Sequence, residues 1–373
     1  MKNTELTIAS FLSLVRAGLW EQDVRLDFFG ELNFQELHRL AQEQALVGLV
    51  AAGLEKTIGG HIPKEVALSF VGEALQLEQR NTAMNSFIAV IVEKMKAAGI
   101  YTLLLKGQGI AQCYERPLWR SCGDVDFFLS ADNYSKSVEF LKPLASKIDE
   151  EDIRHSHYSM NIGPWVVELH GTLHAGLWRR MDKVIDEVRN EVFCGGNVRS
   201  WQNGSTQVFL PSADEDVVFV FSHILQHFFK EGIGLRQICD WCRLLWTYKG
   251  TIDKNLLEFR LRRMGVMTEW HSFAYLAVNS LGMPVEAMLF YSPAKKWERK
   301  AGKVLDFIFE TGNFGHNRDY SYYKKYPYLV YKTISLWKHL IDGYRFLAIF
   351  PFDSVKVTIN RIRDGFLVAL KEI

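Results

Sequence analysis

The stretch LLLKGQGIAQCYERPLWRSCGDVDFFL, from Leu103 to Leu129, joins an apolar run to a glycine-containing turn and ends in two closely spaced aspartates. In a β-strand, residues two apart face the same side, so a strand over DVDFFL brings Asp124 and Asp126 together and turns the residues between them into the core. Two carboxylates this close are unfavourable unless a cation or a proton compensates them. Converging carboxylates are also the oxygen ligands that Mg²⁺ prefers. The pair therefore predicts a metal site, and an edge strand with both aspartates in solvent is the structural alternative.

A predicted phosphate site precedes the aspartates. The strand-like run YTLLL (101–105) is followed by a glycine-containing turn and the start of a helix. The residues of this turn are Lys106, Gly107, Gln108 and Gly109. Unpaired N–H groups at a helix start, together with the helix dipole, favour a bound phosphate. Lys106 and Arg120 are the candidate side-chain contacts to that phosphate, and an ion pair with Asp124 is the alternative role of Arg120.

A third acid follows on a later strand-like run, WVVELH (165–170). Alternation places Glu168 and His170 on one face of this strand and the apolar residues on the other. A carboxylate at this position completes a metal ligand set or acts as the general base on an attacking hydroxyl group. We therefore expect Glu168 to join Asp124 and Asp126 in space, with His170 beside it.

The rest of the chain is predicted to be mainly helical, which gives an α+β fold: a small mixed β-sheet core flanked by N-terminal and C-terminal helical regions. Strands are predicted over residues 101–105, 124–129, 165–170 and 206–210. Helices are predicted near residues 6–19, 34–47, 64–97, 108–115, 131–146, 235–248, 253–264, 267–281 and 295–310, and Ser212 starts one more. The predicted regions are 1–97 (N-terminal helices), 98–211 (α/β core), 212–319 (helices that close over the site) and 320–373 (an aromatic and basic helical extension).

Bulk properties narrow the classes of function. The 373 residues carry a net charge of +1, which gives no general attraction to nucleic acid and argues against a long nucleic-acid substrate. Five cysteines, an odd number, suit a reducing compartment, and CDWC (239–242) is expected to be packed in a helix rather than redox-active. No apolar run approaches the roughly eighteen residues of a spanning helix, and the N-terminal helix is amphipathic rather than a signal peptide. We expect a cytoplasmic protein without a transmembrane segment.

LKGQG, RSCGDVDFFL and VVELHG together resemble the polymerase-β-type nucleotidyltransferase superfamily. The similarity is closest to an uncharacterised bacterial nucleotidyltransferase family with the motifs LKG…R..GD-hydrophobic-D…hydrophobic-ElH, and it covers roughly residues 100 to 245. The resemblance implies a mixed-sheet nucleotidyltransferase-like core, a glycine turn that holds nucleotide phosphate and a two-Mg²⁺ mechanism. Carried over to this chain, Asp124 and Asp126 are the metal-binding pair, Glu168 is the third acid, and Gly107 with its neighbours forms the phosphate turn.

Two further features bear on the resemblance. The family carries histidines followed by an LR…D element. Arg236 and Asp240 match this element, so the resemblance implies that His223, His227, Arg236 and Asp240 lie near the nucleotide or its acceptor. His170 is expected there too, beside Glu168. The superfamily has glycine or serine where this chain has Gln108, whose side chain is expected to crowd the triphosphate unless Gly109 takes over in a shifted turn.

The leading hypothesis is a Mg²⁺- or Mn²⁺-dependent enzyme that transfers an NMP from an NTP to a hydroxyl group of a small molecule, a protein or an RNA end. The alternative on the same fold is a nucleotide-binding or regulatory protein with weak or no turnover, which Gln108 favours. Two other classes are weaker. GQGIAQ lacks the third glycine of a dinucleotide-binding oxidoreductase, and His223 with His227 needs a third ligand to make a zinc hydrolase.

Overall fold

The computed structural model describes residues 2–149, 152, 156–318 and 326–369. Within these ranges, helices surround a five-stranded mixed sheet, and a two-stranded hairpin packs beside its first strand. The α+β class predicted from the sequence is confirmed. The helices are α1 (Lys2–Trp20), α2 (Phe34–Glu43), α3 (Val47–Glu55), α4 (Lys64–Ala97), α5 (Gly107–Ala111), α6 (Ala131–Leu141), α7 (Arg179–Phe193), α8 (Ala213–Lys230), α9 (Leu235–Thr247), α10 (Lys254–Met264), α11 (Met267–Leu281), α12 (Lys295–Thr311), α13 (Tyr328–Leu347) and α14 (Pro351–Ala369). The strands are β1 (Leu103–Leu105), β2 (Asp124–Phe128), β3 (Lys147–Ile148), β4 (His157–Ile162), β5 (Trp165–His170), β6 (Val198–Asn203) and β7 (Thr206–Pro211).

The order of the strands brings two distant segments together at the centre of the sheet. The order is β1-β2-β5-β4-β3, and β6 pairs with β7 in the hairpin. β2 and β5 are parallel, whereas the other neighbours in the sheet are antiparallel. A parallel pair needs a crossover connection, and α6 lies within it.

The two faces of the sheet pack against different helices. Val125 and Phe127 belong to a hydrophobic core that includes side chains of α4 and α6. Phe128 turns to the opposite face, where its ring contacts those of Phe193 in α7 and Phe219 in α8. Because the two aspartates of β2 alternate with Val125 and Phe127, they share the face that α8 covers.

A larger core joins the first three helices to the helices that follow the hairpin. The buried side chain of Gln44 accepts a hydrogen bond from the Leu235 N–H at 2.9 Å and donates one to the Ile308 carbonyl at 3.3 Å. The Trp20 indole likewise donates to the Leu281 carbonyl at 2.7 Å. These contacts tie α9, α11 and α12 to the N-terminal helices.

Several elements match their predicted bounds. The helix predicted near 64–97 is α4, and the strand predicted over 165–170 is β5. Ser212 caps α8 through a capping box, in which its side chain and that of Glu215 each accept a backbone N–H. Local signals in these segments agree with their packing, so the sequence alone defines their ends.

Other predicted elements were wrong in extent or pairing. The helix predicted over 34–47 is α2, which ends early at Glu43, because Ala45 has a φ of 55° and interrupts the helical backbone before α3 begins. The helix predicted over 131–146 ends early, before a 3₁₀ turn that contains Pro143. The strand predicted over 206–210 belongs to the hairpin rather than to the mixed sheet. Elements α3, α7, β3, β4 and β6 were not predicted.

Three further expectations concern the cysteines, the tail and membrane spans. Cys239 and Cys242 are buried, unbridged thiols of α9, as the packed-helix interpretation expects.

The predicted extension over 320–373 forms α13 and α14, while 320–325 and 370–373 lie outside the described residues. None of the helices in the described ranges is both long and apolar enough to cross a bilayer.

Candidate active site

The three predicted acids converge on one face of the sheet. Parallel pairing of β2 with β5 sets Asp126 directly beside Glu168, and Asp124 lies two residues earlier on the same strand. Carboxylate oxygens of Asp124, Asp126 and Glu168 all lie within 4.8 Å of one another. Asp126 is the deepest of the three, with 3% of its side chain exposed. The structure therefore brings together the residues for which the sequence predicted a common site.

Cationic and imidazole groups surround these acids. Lys106 Nζ lies 3.3 Å from Asp126 Oδ1, and His170 Nε2 lies 2.8 Å from the same oxygen. His170 Nε2 is also 3.4 Å from Glu168 Oε2, which His157 Nε2 approaches to 3.2 Å. The prediction put His170 beside Glu168 and near the nucleotide. The structure places His170 between Asp126 and Glu168, next to His157 of the neighbouring strand β4.

Burial and neighbouring charges shift the pKa values of the three carboxyl groups. The charge of Asp126, together with burial, raises the pKa of Asp124 to about 6. Burial opposes ionisation of Asp126, but Lys106 and the hydrogen bond from His170 outweigh it and lower the pKa of Asp126. Burial likewise opposes ionisation of Glu168, and hydrogen bonds from its two histidines lower the pKa of that carboxyl. At neutral pH the cluster keeps its negative charge.

The turn before α5 is conformationally constrained. Gly107 has a φ of 37°, and a Cβ at this position would lie 3.2 Å from Cys122 Sγ. Lys106 has a φ of 44°, in the left-handed region that favours glycine, which is a form of strain found mainly at functional sites. The helix predicted near 108–115 is the five-residue α5. This turn directs the Lys106 ammonium to Asp126.

Gln108 does not occupy the position that the sequence suggested. Its side chain is buried between α5 and α4, where Nε2 donates to Asn81 Oδ1 at 2.8 Å and lies near the Met84 sulfur. Gly109 faces the side chain of Leu210, and a Cβ there would approach Leu210 Cδ2 to 2.7 Å. The expectation that Gln108 crowds a triphosphate is wrong, because its side chain points into the helix interface and is absent from the described lining of the acidic cavity.

That cavity has a volume of about 280 Å³ and contains all three acids together with three cationic side chains. The cations are Lys106, Arg120 and Arg236. Arg236 donates from Nη1 to the Ser121 carbonyl at 3.1 Å. The Nε of Arg236 and the Nη1 of Arg120 are buried and make no hydrogen bond within the described part of the chain. Both guanidinium groups therefore retain donors for an anionic ligand.

Arg120 has a different partner from the one predicted. Its Nε and Nη2 donate to Asp240 Oδ1 and Oδ2 at 3.0 and 2.6 Å, and the Tyr114 hydroxyl donates to Oδ1 at 2.7 Å. The alternative ion pair between Arg120 and Asp124 is thus wrong. Asp240 lines the cavity, and both of its oxygens accept hydrogen bonds that hold Arg120 and Tyr114, while its predicted place near a nucleotide stays a prediction.

Two histidines of α8 lie across the cavity from the acids. The rings of His223 and His227 are 4.3 Å apart, and His227 Nδ1 is 3.0 Å from Glu231 Oε2. Burial lowers the pKa of His223 well below its usual value. Neither histidine belongs to a described group of three metal-ligating side chains, so the zinc-hydrolase alternative gains no support from this pair.

The sequence marked His157 as one of a set of closely spaced histidines but did not assign it to the site, where it approaches Glu168 from β4. The strand was not predicted because HYSMNI is half polar, although Tyr158, Met160 and Ile162 alternate as buried residues. That alternation was the available signal. Sequence reasoning missed Phe314, which lines the acidic cavity and comes from a distant 3₁₀ turn without a local motif.

Comparison with known proteins shows the family to which the chain belongs. Residues 30–282 match a family described as uncharacterised nucleotidyltransferase, so the chain belongs to that family. An antigenic nucleotidyltransferase-like protein from Paracoccidioides brasiliensis is similar in structure, with 13% identity and a TM-score of 0.32 over 55% of this chain and 95% of that one. Nothing among the curated proteins matches. The predicted nucleotidyltransferase class is confirmed, while the bacterial family with its motifs stays a prediction.

Replacing Gln108 tests whether its side chain is structural. Gln108→Ala leaves the buried Asn81 Oδ1 without its donor, and we expect a loss of about 1–3 kcal/mol in the free energy of unfolding, measured by urea denaturation. Gln112→Ala is the matched control, because Gln112 is partly exposed and, within the described residues, donates to a backbone carbonyl alone; its cost should be smaller. A Gln108→Ala variant of unchanged stability and higher NTP affinity would contradict this assignment.

Proposed function

We propose that this nucleotidyltransferase moves an NMP unit from an NTP to a hydroxyl acceptor, with Mg²⁺ or Mn²⁺ held by Asp124, Asp126 and Glu168. The observation that carries the proposal is the convergence of three carboxylates in one cavity with three cationic side chains. Family membership supports the transfer of a nucleotidyl group, and the geometry supports the choice of residues.

The donor set fits a hard divalent cation. All three groups are carboxylates, which are the ligands that Mg²⁺ and Mn²⁺ take in proteins. The raised pKa of Asp124 indicates that the negative charge of the cluster is not fully compensated by Lys106. A bound divalent ion would supply that compensation and neutralise charge on the transferred phosphate.

The cationic side chains have the positions of phosphate contacts. Lys106 Nζ borders the acids, and the guanidinium groups of Arg120 and Arg236 line the same cavity. Nucleotidyl transfer depends on positioning and charge neutralisation more than on covalent help from the protein. Asp240 contributes by orienting Arg120 so that Nη1 stays available for the triphosphate.

A second cavity provides room for the acceptor. It has a volume of about 410 Å³ and shares Lys106, Glu168, His223 and His227 with the acidic cavity. Glu168 therefore lies where the two cavities meet. It takes the proton of the acceptor hydroxyl once the contacts from His157 and His170, which lower its pKa, are released. The acceptor oxygen bonds to the α-phosphorus, the bond from that phosphorus to the β-bridging oxygen breaks, and pyrophosphate leaves.

One observation favours the alternative of a nucleotide-binding protein without turnover. Asp126 Oδ1 already contacts both Lys106 Nζ and His170 Nε2, so one of these groups must shift before an ion binds there. Stabilisation of the protein by NTP and a divalent ion, without release of pyrophosphate in the presence of cell extract, would support this alternative. Gln108 does not support this alternative, because its side chain points away from the acidic cavity.

Two carboxylate variants separate binding from transfer. Asp126→Asn should abolish transfer of label from an NTP to a component of cell extract and weaken Mg²⁺ binding. Glu168→Gln should lower the transfer rate by about 10²–10⁴-fold, the usual contribution of a general base, with a smaller effect on NTP binding. Asp132→Asn, on an exposed part of α6, is the control and should change neither. Full activity in Asp126→Asn would show that the metal assignment is wrong.

The affinity for Mn²⁺ should depend on pH in a defined direction. The pKa of Asp124 is about 6 in the ion-free protein, so below that pH an ion must displace a proton from this carboxyl. Calorimetry should therefore find Mn²⁺ affinity nearly constant above about pH 7 and roughly tenfold weaker at about pH 5, because one proton competes. An affinity that is constant, or that rises with acidity, over this interval would contradict the assignment of Asp124 as a ligand.

A further inference from the structure

We infer that His157, Glu168 and His170 form a second metal site, which binds a divalent transition ion of the zinc class. This site is distinct from the oxygen-only set proposed for Mg²⁺, with which it shares Glu168 alone. The inference concerns ion binding and stands whether or not the protein transfers nucleotides.

The spacing of the three ligand atoms fits such an ion. His157 Nε2 and His170 Nε2 lie 3.2 and 3.4 Å from the same oxygen, Glu168 Oε2, and the three groups offer ligand atoms within 4.8 Å of one another. In a tetrahedral site with bonds of about 2.1 Å, neighbouring ligand atoms are about 3.4 Å apart. The two separations from Glu168 Oε2 are already those of ligand edges, so it is mainly the two imidazole nitrogens that must adjust to hold an ion.

The sheet holds these ligands on a rigid framework. His157 of β4 pairs directly with His170 of β5 across an antiparallel ladder, and Glu168 lies two residues from His170 on the same strand. The three side chains therefore point to one face of the sheet. The imidazole rings are 4.9 Å apart at 33°, so both present Nε2 toward Glu168.

The proposed zinc site and the proposed Mg²⁺ set open to different cavities. The described lining of the larger cavity includes His157, Glu168 and His170 but neither Asp124 nor Asp126. The lining of the acidic cavity includes Asp124, Asp126 and Glu168 but neither His157 nor His170. The side chains of His157 and Glu168 are 35% and 25% exposed, which leaves an entry path for an ion. Each cavity thus has its own approach to Glu168.

The ligand chemistry selects the kind of ion. Two imidazole nitrogens and one carboxylate suit zinc and related transition ions, whereas Mg²⁺ prefers oxygen ligands. Three protein ligands leave a coordination position open, as in catalytic rather than structural zinc sites. That position faces the cavity that we assign to the acceptor. Binding requires each Nε2 to present a lone pair, with its proton carried on Nδ1, so the contact between His170 and Asp126 is given up.

Metal titrations of the full-length protein, stripped of ions, test the site without any assay of activity. Wild type should bind one equivalent of Zn²⁺ by calorimetry, and Co²⁺ should produce the visible absorption of a four- or five-coordinate complex. His157→Gln should weaken Zn²⁺ binding by at least about tenfold, since loss of even an outer-shell partner costs that much. His174→Gln is the matched control, because His174 lines the same cavity but pairs with Asp186; it should keep both signals.

Further variants keep the result unambiguous. His157→Phe retains a ring without a nitrogen, so loss of Co²⁺ absorption in both His157 variants, with unchanged circular dichroism, supports the site. Asp124→Asn should lose Mn²⁺ affinity but keep the Co²⁺ spectrum. Absence of Zn²⁺ binding in wild type, an unchanged spectrum in the His157 variants, or a spectrum lost only in Asp124→Asn would overturn the inference. Failure of nucleotidyl transfer would leave all of these results unaffected.

Discussion

The register between the parallel strands β2 and β5 is the constraint on which the site depends. It sets Asp126 beside Glu168, although the two residues are far apart in the chain. A slip of one residue would turn Glu168 to the opposite face of the sheet. The opposite face prevents this, because Val125, Phe127 and Val167 are fully buried in the core against α4 and α6. Hydrophobic packing on one face therefore fixes the spacing of charges on the other.

The charges that this register assembles are unfavourable by themselves. Three carboxylates meet where burial penalises ionisation, and Lys106, nearby histidines and Arg236 offset their repulsion in part. Lys106 in turn lies at a positive φ, which a lysine adopts at a cost. Local conflicts of this kind persist in natural proteins mainly at functional sites. The unfavourable charge around Asp124 and the strained turn at Lys106 therefore both support the proposed binding of cations and phosphate.

The sequence predicted the parts of the site that depend on local periodicity. Alternation along β2 and β5 was enough to pair Asp124 with Asp126 and to place His170 beside Glu168. Alternation could not predict contacts between segments that are far apart in the chain. Arg120 pairs with Asp240, 120 residues away, because α9 packs beside the turn before β2. The orientation of Gln108 depends on a polar partner in α4, and the position of β4 depends on pairing with β5. No local pattern encodes either contact.

Anomalous scattering from Mn²⁺ tests the central claim most directly. Crystals grown with Mn²⁺ and a non-hydrolysable NTP analogue would locate the ion and the triphosphate in one measurement. The account predicts Mn²⁺ bonded to carboxylate oxygens of Asp124 and Asp126, with the phosphates against Lys106 and Arg236. Mn²⁺ bound away from both aspartates, or an analogue bound outside the acidic cavity, would contradict it.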